Sequence, residues 1–160
     1  MFRRAFETSV TAWQSRPMSD YGLDRFVRAQ DPVYDDVLAE LRAGRKRTHW
    51  MWFVFPQVDG LGGSPTTRAY AIRSLDEAVA YLAHPVLGPR LLECAGLVAA
   101  TGRPPAEMFG FPDDLKLRSS MTLFLRAAPD EPVFQAVLDR HFDGIADEKT
   151  DNLLRGRSVS

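Results

Sequence analysis

Apolar residues recur at intervals of three and four along most of the chain, which is the spacing of an amphipathic α-helix. The clearest stretch follows Asp113, where Leu117, Met121, Phe124 and Leu125 fall on one face. Similar patterns between Pro, Gly, Ser or Asp residues predict further helices. The predicted helical ranges are 23–29, 33–43, 75–83, 85–100, 104–109, 114–127, 131–142 and 147–154, of which 104–109 and 147–154 are short turns.

Residues that favour helix ends support these boundaries. Gly44 follows a helical pattern in the position that favours a left-handed residue. Ser74 and Glu77 have the spacing of a capping box, which opens a helix with Leu75 and Val79 among its inward residues. His84 stands before Pro85 and is a candidate cap for the next helix.

The only strand-like run is 52–58, which can pair locally or line the core in extended form. We therefore predict a mainly α fold, a single compact domain of six or seven short helices with at most a minor β element. The domain covers residues 21–154, residues 1–20 form a poorly ordered extension, and residues 155–160 form a tail. Because Met18-Ser-Asp resembles a natural start, residues 1–17 are either a start-codon artefact or a loosely attached arm.

Composition excludes several classes of protein. Of 160 residues, 45% are hydrophobic and 26% charged, which is ordinary for a soluble globular domain. No apolar run approaches the roughly 20 residues that cross a bilayer, so no membrane contact is predicted. The net charge of −1 makes a nucleic-acid partner unlikely unless a local basic patch provides the attraction.

Cysteine and histidine usage bears on compartment and metal binding. The single cysteine, Cys94, excludes an internal disulfide and fits a reducing compartment, so a cytoplasmic location is predicted. One Cys and three scattered His show no metal-ligand spacing. We predict neither a metal nor a cofactor, and a homodimer is left open.

The segment 45–55 places basic residues directly before aromatic ones. Arg45, Arg47 and His49 precede Trp50 and Trp52, and cations beside aromatic faces bind planar anions such as nucleotides. Alternatively, the cations favour a helix C-terminus while the aromatic rings fill the core. Neighbouring aromatic residues cannot all face one way, so part of this surface is expected to line a cleft.

A glycine-rich loop follows at 60–67. Its backbone amides can converge on an anion, and Ser64 and Thr66 add hydroxyl donors. The loop matches neither a Walker loop nor a dinucleotide fingerprint, and a flexible connection is equally compatible with it. A site, if present, is predicted between the basic segment and this loop.

The start of the helix 114–127 carries paired carboxylates and internal hydroxyls. Asp113 and Asp114 can serve acid–base chemistry, although helix capping is the more common role of such residues. Ser119, Ser120 and Thr122 are poor helix formers, which indicates close packing or ligand contact. We take Ser120 as a candidate ligand-binding residue.

The chain resembles a bacterial family of domains of unknown function, whose members have been mislabelled calpastatin. The resemblance rests on Leu41-Arg-Ala-Gly-Arg-Lys-Arg-Thr-His-Trp-Met-Trp-Phe-Val-Phe-Pro-Gln57 and on the stretches 23–30, 70–72, 81–88 and 117–124. It covers nearly everything from residue 23 to residue 154. It implies a mainly helical single domain and no established activity.

The chain is also distantly similar to YbiA-like domains (the NADAR family), which are associated with NAD and ADP-ribose chemistry. Phe26-Val-Arg-Ala-Gln30 resembles their aromatic-Gln-Ala-Gln stretch, and residues 118–142 resemble their Met-Arg helix and the apolar helix after it. Those domains carry Glu-His before the aromatic residue, whereas this chain has Asp24-Arg25. The resemblance implies that Asp24 is the only local substitute for that carboxylate.

Two hypotheses follow. In the first, the protein binds a nucleotide or ADP-ribose-like small molecule and hydrolyses an N-glycosidic bond, with Asp24 or Asp114 as the carboxylate and Gln30 orienting the sugar. Trp50 and Trp52 stack on the base, and Arg45 and Arg47 hold phosphates. In the second, the protein is a non-enzymatic module that binds protein or nucleic acid through its basic-aromatic face.

Overall fold

Helices surround one apolar core in the computed structural model, which describes the backbone of residues 21–159 and the side chains of residues 21–156. The described range contains ten helices, which confirms the mainly α single domain, although six or seven were predicted. They are α1 (Asp24–Gln30), α2 (Tyr34–Ala43), α3 (Met51–Val54), α4 (Pro65–Ala69), α5 (Leu75–Ala83), α6 (Leu87–Ala100), α7 (Pro105–Met108), α8 (Asp113–Ala127), α9 (Pro132–His141) and α10 (Glu148–Val159).

Helix α8 is the centre of the fold. It packs against α5, α7, α9 and α10, while α6 packs against α2, α5 and α9. Aromatic rings connect these layers, with centroids 5.2 Å apart for Phe26 and Tyr81, 5.2 Å for Tyr81 and Phe124, and 5.9 Å for Phe124 and Phe134. Such tilted and edge-on pairs add to the free energy gained from burial.

The prediction that residues 52–58 are extended is wrong for the first half of this run. That half lies in the one-turn helix α3, whose geometry buries both Met51 and Val54 in the core. Tertiary packing here outweighs the β propensity of Trp, Phe and Val. The β structure in the described residues is one parallel bridge between Val58 and Ile72. The prediction missed helices α3 and α4, which are only four and five residues long.

Several predicted helix ends are confirmed. Gly44 is the left-handed residue after α2, with φ of 74°, and Ser74 Oγ accepts a hydrogen bond from the amide of Glu77. His84 caps α6, because its Nδ1 accepts from the amides of Val86 and Leu87 at 3.0 and 3.2 Å. Burial lowers the pKa of His84, which favours the neutral ring that this cap needs.

The orientation of α5 differs from the prediction. Leu75 and Val79 are 39% and 47% exposed rather than inward. The Glu77 carboxylate does not close the capping box but accepts from the amide of Arg73 and pairs with Arg25 at 3.2 Å. Anchoring this carboxylate in the interior turns Leu75 and Val79 outward.

The remaining boundaries shift by a few residues. Helix α8 begins at Asp113, one residue before its predicted start, and α9 begins at Pro132, one residue after its predicted start, with Glu131 as its cap. Helix α10 continues beyond Leu154 to Val159, into the predicted tail. The predictions for residues 1–20 lie outside the described residues. Among the described helices, none is both long and apolar enough to span a membrane.

Candidate functional site

An open cleft of about 670 Å³ lies beside the first half of α8. We call it the α8 cleft. The loop between α3 and α4 contributes Gln57, Leu61 and Gly62, and α4 contributes Thr67. From α8 and the residue before it come Pro112, Leu115, Lys116, Arg118 and Ser119. From the start of α10 and the turn before it come Ile145, Ala146, Asp147, Glu148 and Lys149. The glycine-rich loop therefore reaches a candidate site.

Lys116 is a fixed cation in the wall of the cleft. Its Nζ lies 3.4 Å from Asp113 Oδ1, one helical turn away, and 5.0 Å from the centre of the Trp52 ring. The same lysine also lines a narrow crevice with Trp52, Gln57 and Tyr70. Trp52 is therefore the predicted stacking residue that lies beside the cleft.

Asp147 is a braced carboxylate on the opposite wall. Its Oδ2 accepts from the amide and hydroxyl of Thr150 at 3.1 and 2.6 Å, and lies 3.1 Å from the Ser119 hydroxyl. The amide of Asp147 donates to Thr122 Oγ1 at 2.8 Å. In the described part of the chain, Asp147 Oδ1 makes no hydrogen bond. Hydrogen bonds therefore fix Oδ2, while Oδ1 can contact a ligand in the cleft.

The hydroxyl residues inside α8 thus have an identifiable role. Ser119 and Thr122 lie one turn apart and bind the Asp147 turn, so close packing explains them. Arg118 fastens the same turn, because its Nε and Nη2 donate to the carbonyls of Ile145 and Ala146 at 2.8 and 3.1 Å. These contacts fix the cleft wall before any ligand binds.

The basic half of the segment 45–55 does not line the cleft. Arg45, Arg47 and His49 are exposed outside it. Trp50 is only 1% exposed, and its indole donates to Glu40 Oε1 at 2.9 Å. A stacking role for Trp50 is corrected, because its ring is part of the core.

The other predicted ligand-binding residues also have partners within the fold. Gln30 is buried, and its Nε2 donates to the Phe53 carbonyl at 2.6 Å and to the Tyr81 hydroxyl at 3.1 Å. Ser64 caps α4 by accepting from the amide of Thr67. Thr66 is exposed, whereas Thr67, one residue later, lines the cleft.

Neither predicted catalytic carboxylate lines the α8 cleft. Asp24 is exposed and pairs with Arg28 at 2.6 Å, one turn along α1. Asp114 lies on another face of α8 from Lys116 and Ser119, and its Oδ1 accepts from the amide of Leu115. The prediction missed Asp147, although the spacing of Asp147 and Thr150 matches a helix cap and indicated its position.

Ser120 is sealed in the core, and its hydroxyl has no hydrogen-bond partner among the described residues. A ligand cannot reach it in this structure, which corrects its predicted role. Replacing Ser120 with alanine removes an unsatisfied buried hydroxyl, so we expect the free energy of unfolding to rise by about 1 kcal/mol. Urea unfolding measures this change. Ser119→Ala is the control and should lower stability, and a loss of stability in Ser120→Ala would contradict the packing described.

Within residues 21–156, no group of three His, Cys, Asp or Glu side chains could hold a metal ion. The chemistry available in the α8 cleft is therefore that of lysine cations, hydroxyl groups, backbone amides and a braced carboxylate.

The fold and the cleft define a small, mainly helical protein with a cleft beside its central helix, whose wall is fixed by internal hydrogen bonds. The family described as "Protein of unknown function (DUF1810)" matches residues 20–154, and the chain belongs to this family. The chain is also similar to the conserved hypothetical protein Rv1873 from Mycobacterium tuberculosis, known from a crystal structure at 1.38 Å. The two sequences are 58% identical over 84% of this chain and 97% of that chain, with a TM-score of 0.83. No curated protein matches the chain.

Proposed function

We propose that the α8 cleft binds a nucleotide or ADP-ribose-like ligand. The observation that carries this proposal is Lys116, which is held between Asp113 and the Trp52 ring in the cleft wall. A fixed ammonium group beside an aromatic ring suits a phosphate that is attached to a planar base. Lys149 adds a second cation, and Thr67 adds a hydroxyl next to the glycine-rich loop.

The proposed reaction is hydrolysis of an N-glycosidic bond, with Asp147 in place of Asp24 and Asp114. Water adds to the anomeric carbon as the bond to nitrogen breaks, and the departing base takes up the proton that water releases. A carboxylate stabilises the oxocarbenium-like transition state and can relay this proton. The resemblance to YbiA-like domains supports this reaction and is itself part of the proposal.

A non-enzymatic interaction module is the second candidate. It is favoured by two exposed apolar side chains: Ile145, which lines the cleft and is 57% exposed, and Phe111, which precedes the lining residue Pro112 and is 81% exposed. The basic-aromatic face predicted for this role lacks two of its rings, because Trp50 and Phe55 are buried.

A cytoplasmic location and a homodimer stay predictions.

Calorimetry and NMR titration with ADP-ribose test the binding proposal. We expect millimolar or tighter binding, and we expect Lys116→Gln to weaken it about tenfold, since a charge-assisted contact is worth roughly 1.5–3 kcal/mol. Arg45→Gln removes the same charge outside the cleft and serves as the matched control. No binding by the wild type, or an equal loss in both variants, would overturn the proposal.

Hydrolysis is tested separately by chromatography of the released base. Asp147→Asn keeps the size of the side chain but removes its charge, so binding is expected to persist while base release falls at least about a hundredfold. Asp24→Asn and Asp114→Asn are the controls and should retain the wild-type rate. Binding without base release in the wild type would favour the interaction module.

A further inference from the structure

Three charged side chains connect the segment 45–55 with the cleft. Asp113 lies between two lysines, with its Oδ2 3.0 Å from Lys46 Nζ and its Oδ1 3.4 Å from Lys116 Nζ. The Lys46 side chain is only 8% exposed, so it is the inward cation of a segment whose other basic residues face solvent. Each lysine also lies over a tryptophan ring, Lys46 over Trp50 at 5.2 Å and Lys116 over Trp52 at 5.0 Å.

Lys46 is held in place by its own surroundings. Its amide donates to the Met108 carbonyl at 2.7 Å. The residues that follow are fixed by Glu40, whose Oε1 accepts from the amides of Arg47 and Thr48 at 2.8 and 3.1 Å. The ammonium group therefore reaches Asp113 from a segment fixed on both sides.

Lys46, Asp113 and Lys116 form a charged triad. The net charge of this triad depends on Lys46. Asp113 and Lys116 alone form a neutral pair, in which the carboxylate satisfies the cation that the cleft presents. With Lys46 on the other carboxylate oxygen, the three groups carry one net positive charge, and Lys116 is the member of the three that lines the cleft. Interactions between partly buried charges are screened only weakly by salt. An anion in the cleft is therefore attracted more strongly by the positively charged triad than by a neutral pair of Asp113 and Lys116.

We propose that Lys46 is a positioning residue that keeps Lys116 available to bind an anionic ligand. This inference rests on the proposed function of the α8 cleft. It also assigns a role to part of the segment 45–55: Lys46 and Trp50 support the cleft wall from behind, whereas Trp52 lies beside the cleft with Lys116. The expected ligand group is a phosphate or pyrophosphate, which matches a point charge of the lysine type.

Variants with opposite expected effects test the inference, with inorganic pyrophosphate and ADP-ribose as probes in NMR titrations. Lys46→Met should weaken binding of both probes about tenfold, and Lys46→Arg should restore most of the affinity. Asp113→Asn leaves both lysines unneutralised, so it should tighten binding although it removes two ion pairs. The double variant Lys46→Met/Asp113→Asn should return towards the wild-type affinity. Arg45→Met is the matched control for a charge lost from the same segment.

The outcomes separate the two proposals. A purely structural role predicts weaker binding in every triad variant, so weaker binding by Asp113→Asn would overturn the inference. If Lys116→Gln weakens binding while Lys46→Met behaves like Arg45→Met, the inference fails and the proposed binding site stands. If the wild type binds pyrophosphate but not ADP-ribose and the triad variants behave as expected, the inference stands and the nucleotide ligand is wrong. If the wild type binds neither probe, both proposals fail.

Discussion

Replacing Glu40 with alanine is expected to lower the free energy of unfolding by about 3 kcal/mol. The buried carboxylate accepts from the amides of Arg47 and Thr48, from the Thr48 hydroxyl at 2.8 Å and from the Trp50 indole at 2.9 Å. Alanine leaves these donors without their acceptor, and a buried donor left unsatisfied costs roughly 1–3 kcal/mol. The indole is fully enclosed and contributes most to this loss.

The same carboxylate makes stability depend on pH. Burial alone raises the pKa of Glu40, but hydrogen bonds from Arg47, Trp50 and Thr48 outweigh burial and hold the pKa below its ordinary value of 4.5. The unfolded chain therefore binds this proton more readily than the folded protein. The stability that Glu40 contributes is fully present above its unfolded pKa and is lost as the pH falls through its folded pKa.

Urea unfolding of the wild type, Glu40→Ala and Glu40→Gln, followed by tryptophan fluorescence at neutral pH and near pH 4, tests both statements. The stability difference between wild type and Glu40→Gln should shrink at the lower pH. Glu107→Gln is the control, because Glu107 forms only an exposed pair with Arg103 and should change stability by less than about 0.5 kcal/mol. If Glu40→Gln and Glu107→Gln changed the free energy of unfolding equally, the hydrogen bonds around Glu40 would not stabilise the fold.

The fold could be predicted from the sequence where local chemistry determines it. The Ser74 and His84 caps and the left-handed Gly44 each depend on atoms within three residues along the chain. The spacing of Leu117, Met121 and Phe124 likewise placed the buried face of α8. The rotation of α5 was not predictable in this way, because Arg25 anchors Glu77 from a helix fifty-two positions earlier.

The candidate site could be predicted only in part, because its walls come from distant parts of the chain. Lys116 shares a crevice with Trp52 and the cleft with Asp147, and no local sequence pattern indicates that these distant residues lie near one another. Trp52 of the segment 45–55 and Thr67 of the glycine-rich loop line the same crevice, and a binding site between the two segments stays a prediction. The sequence did not indicate which cation faces inward, because Arg45, Lys46 and Arg47 are all long basic residues. The backbone conformation determines that Lys46 faces the interior while Arg45 and Arg47 face solvent.

Two glycines of α6 are expected to respond in opposite directions to substitution by alanine. A Cβ atom on Gly88 would lie 2.1 Å from the Leu82 carbonyl oxygen and 3.0 Å from its carbon. Because the obstacle is backbone of the neighbouring helix α5, it cannot rotate away as a side chain could. We expect Gly88→Ala to lower the free energy of unfolding by about 3 kcal/mol, at the upper end for overpacked cores.

Gly96 provides the matched control on the same helix, because a Cβ there would meet nothing within 4 Å. Alanine favours the helix over glycine by roughly 0.8–1 kcal/mol, so Gly96→Ala should raise stability by about that amount. Urea unfolding of both variants measures the contrast. Since propensity acts in the same direction at both positions, a destabilised Gly88→Ala beside a stabilised Gly96→Ala can be attributed to the close approach of α5 and α6. If Gly88→Ala were also stabilised, those helices could not lie as close as the Leu82 carbonyl places them.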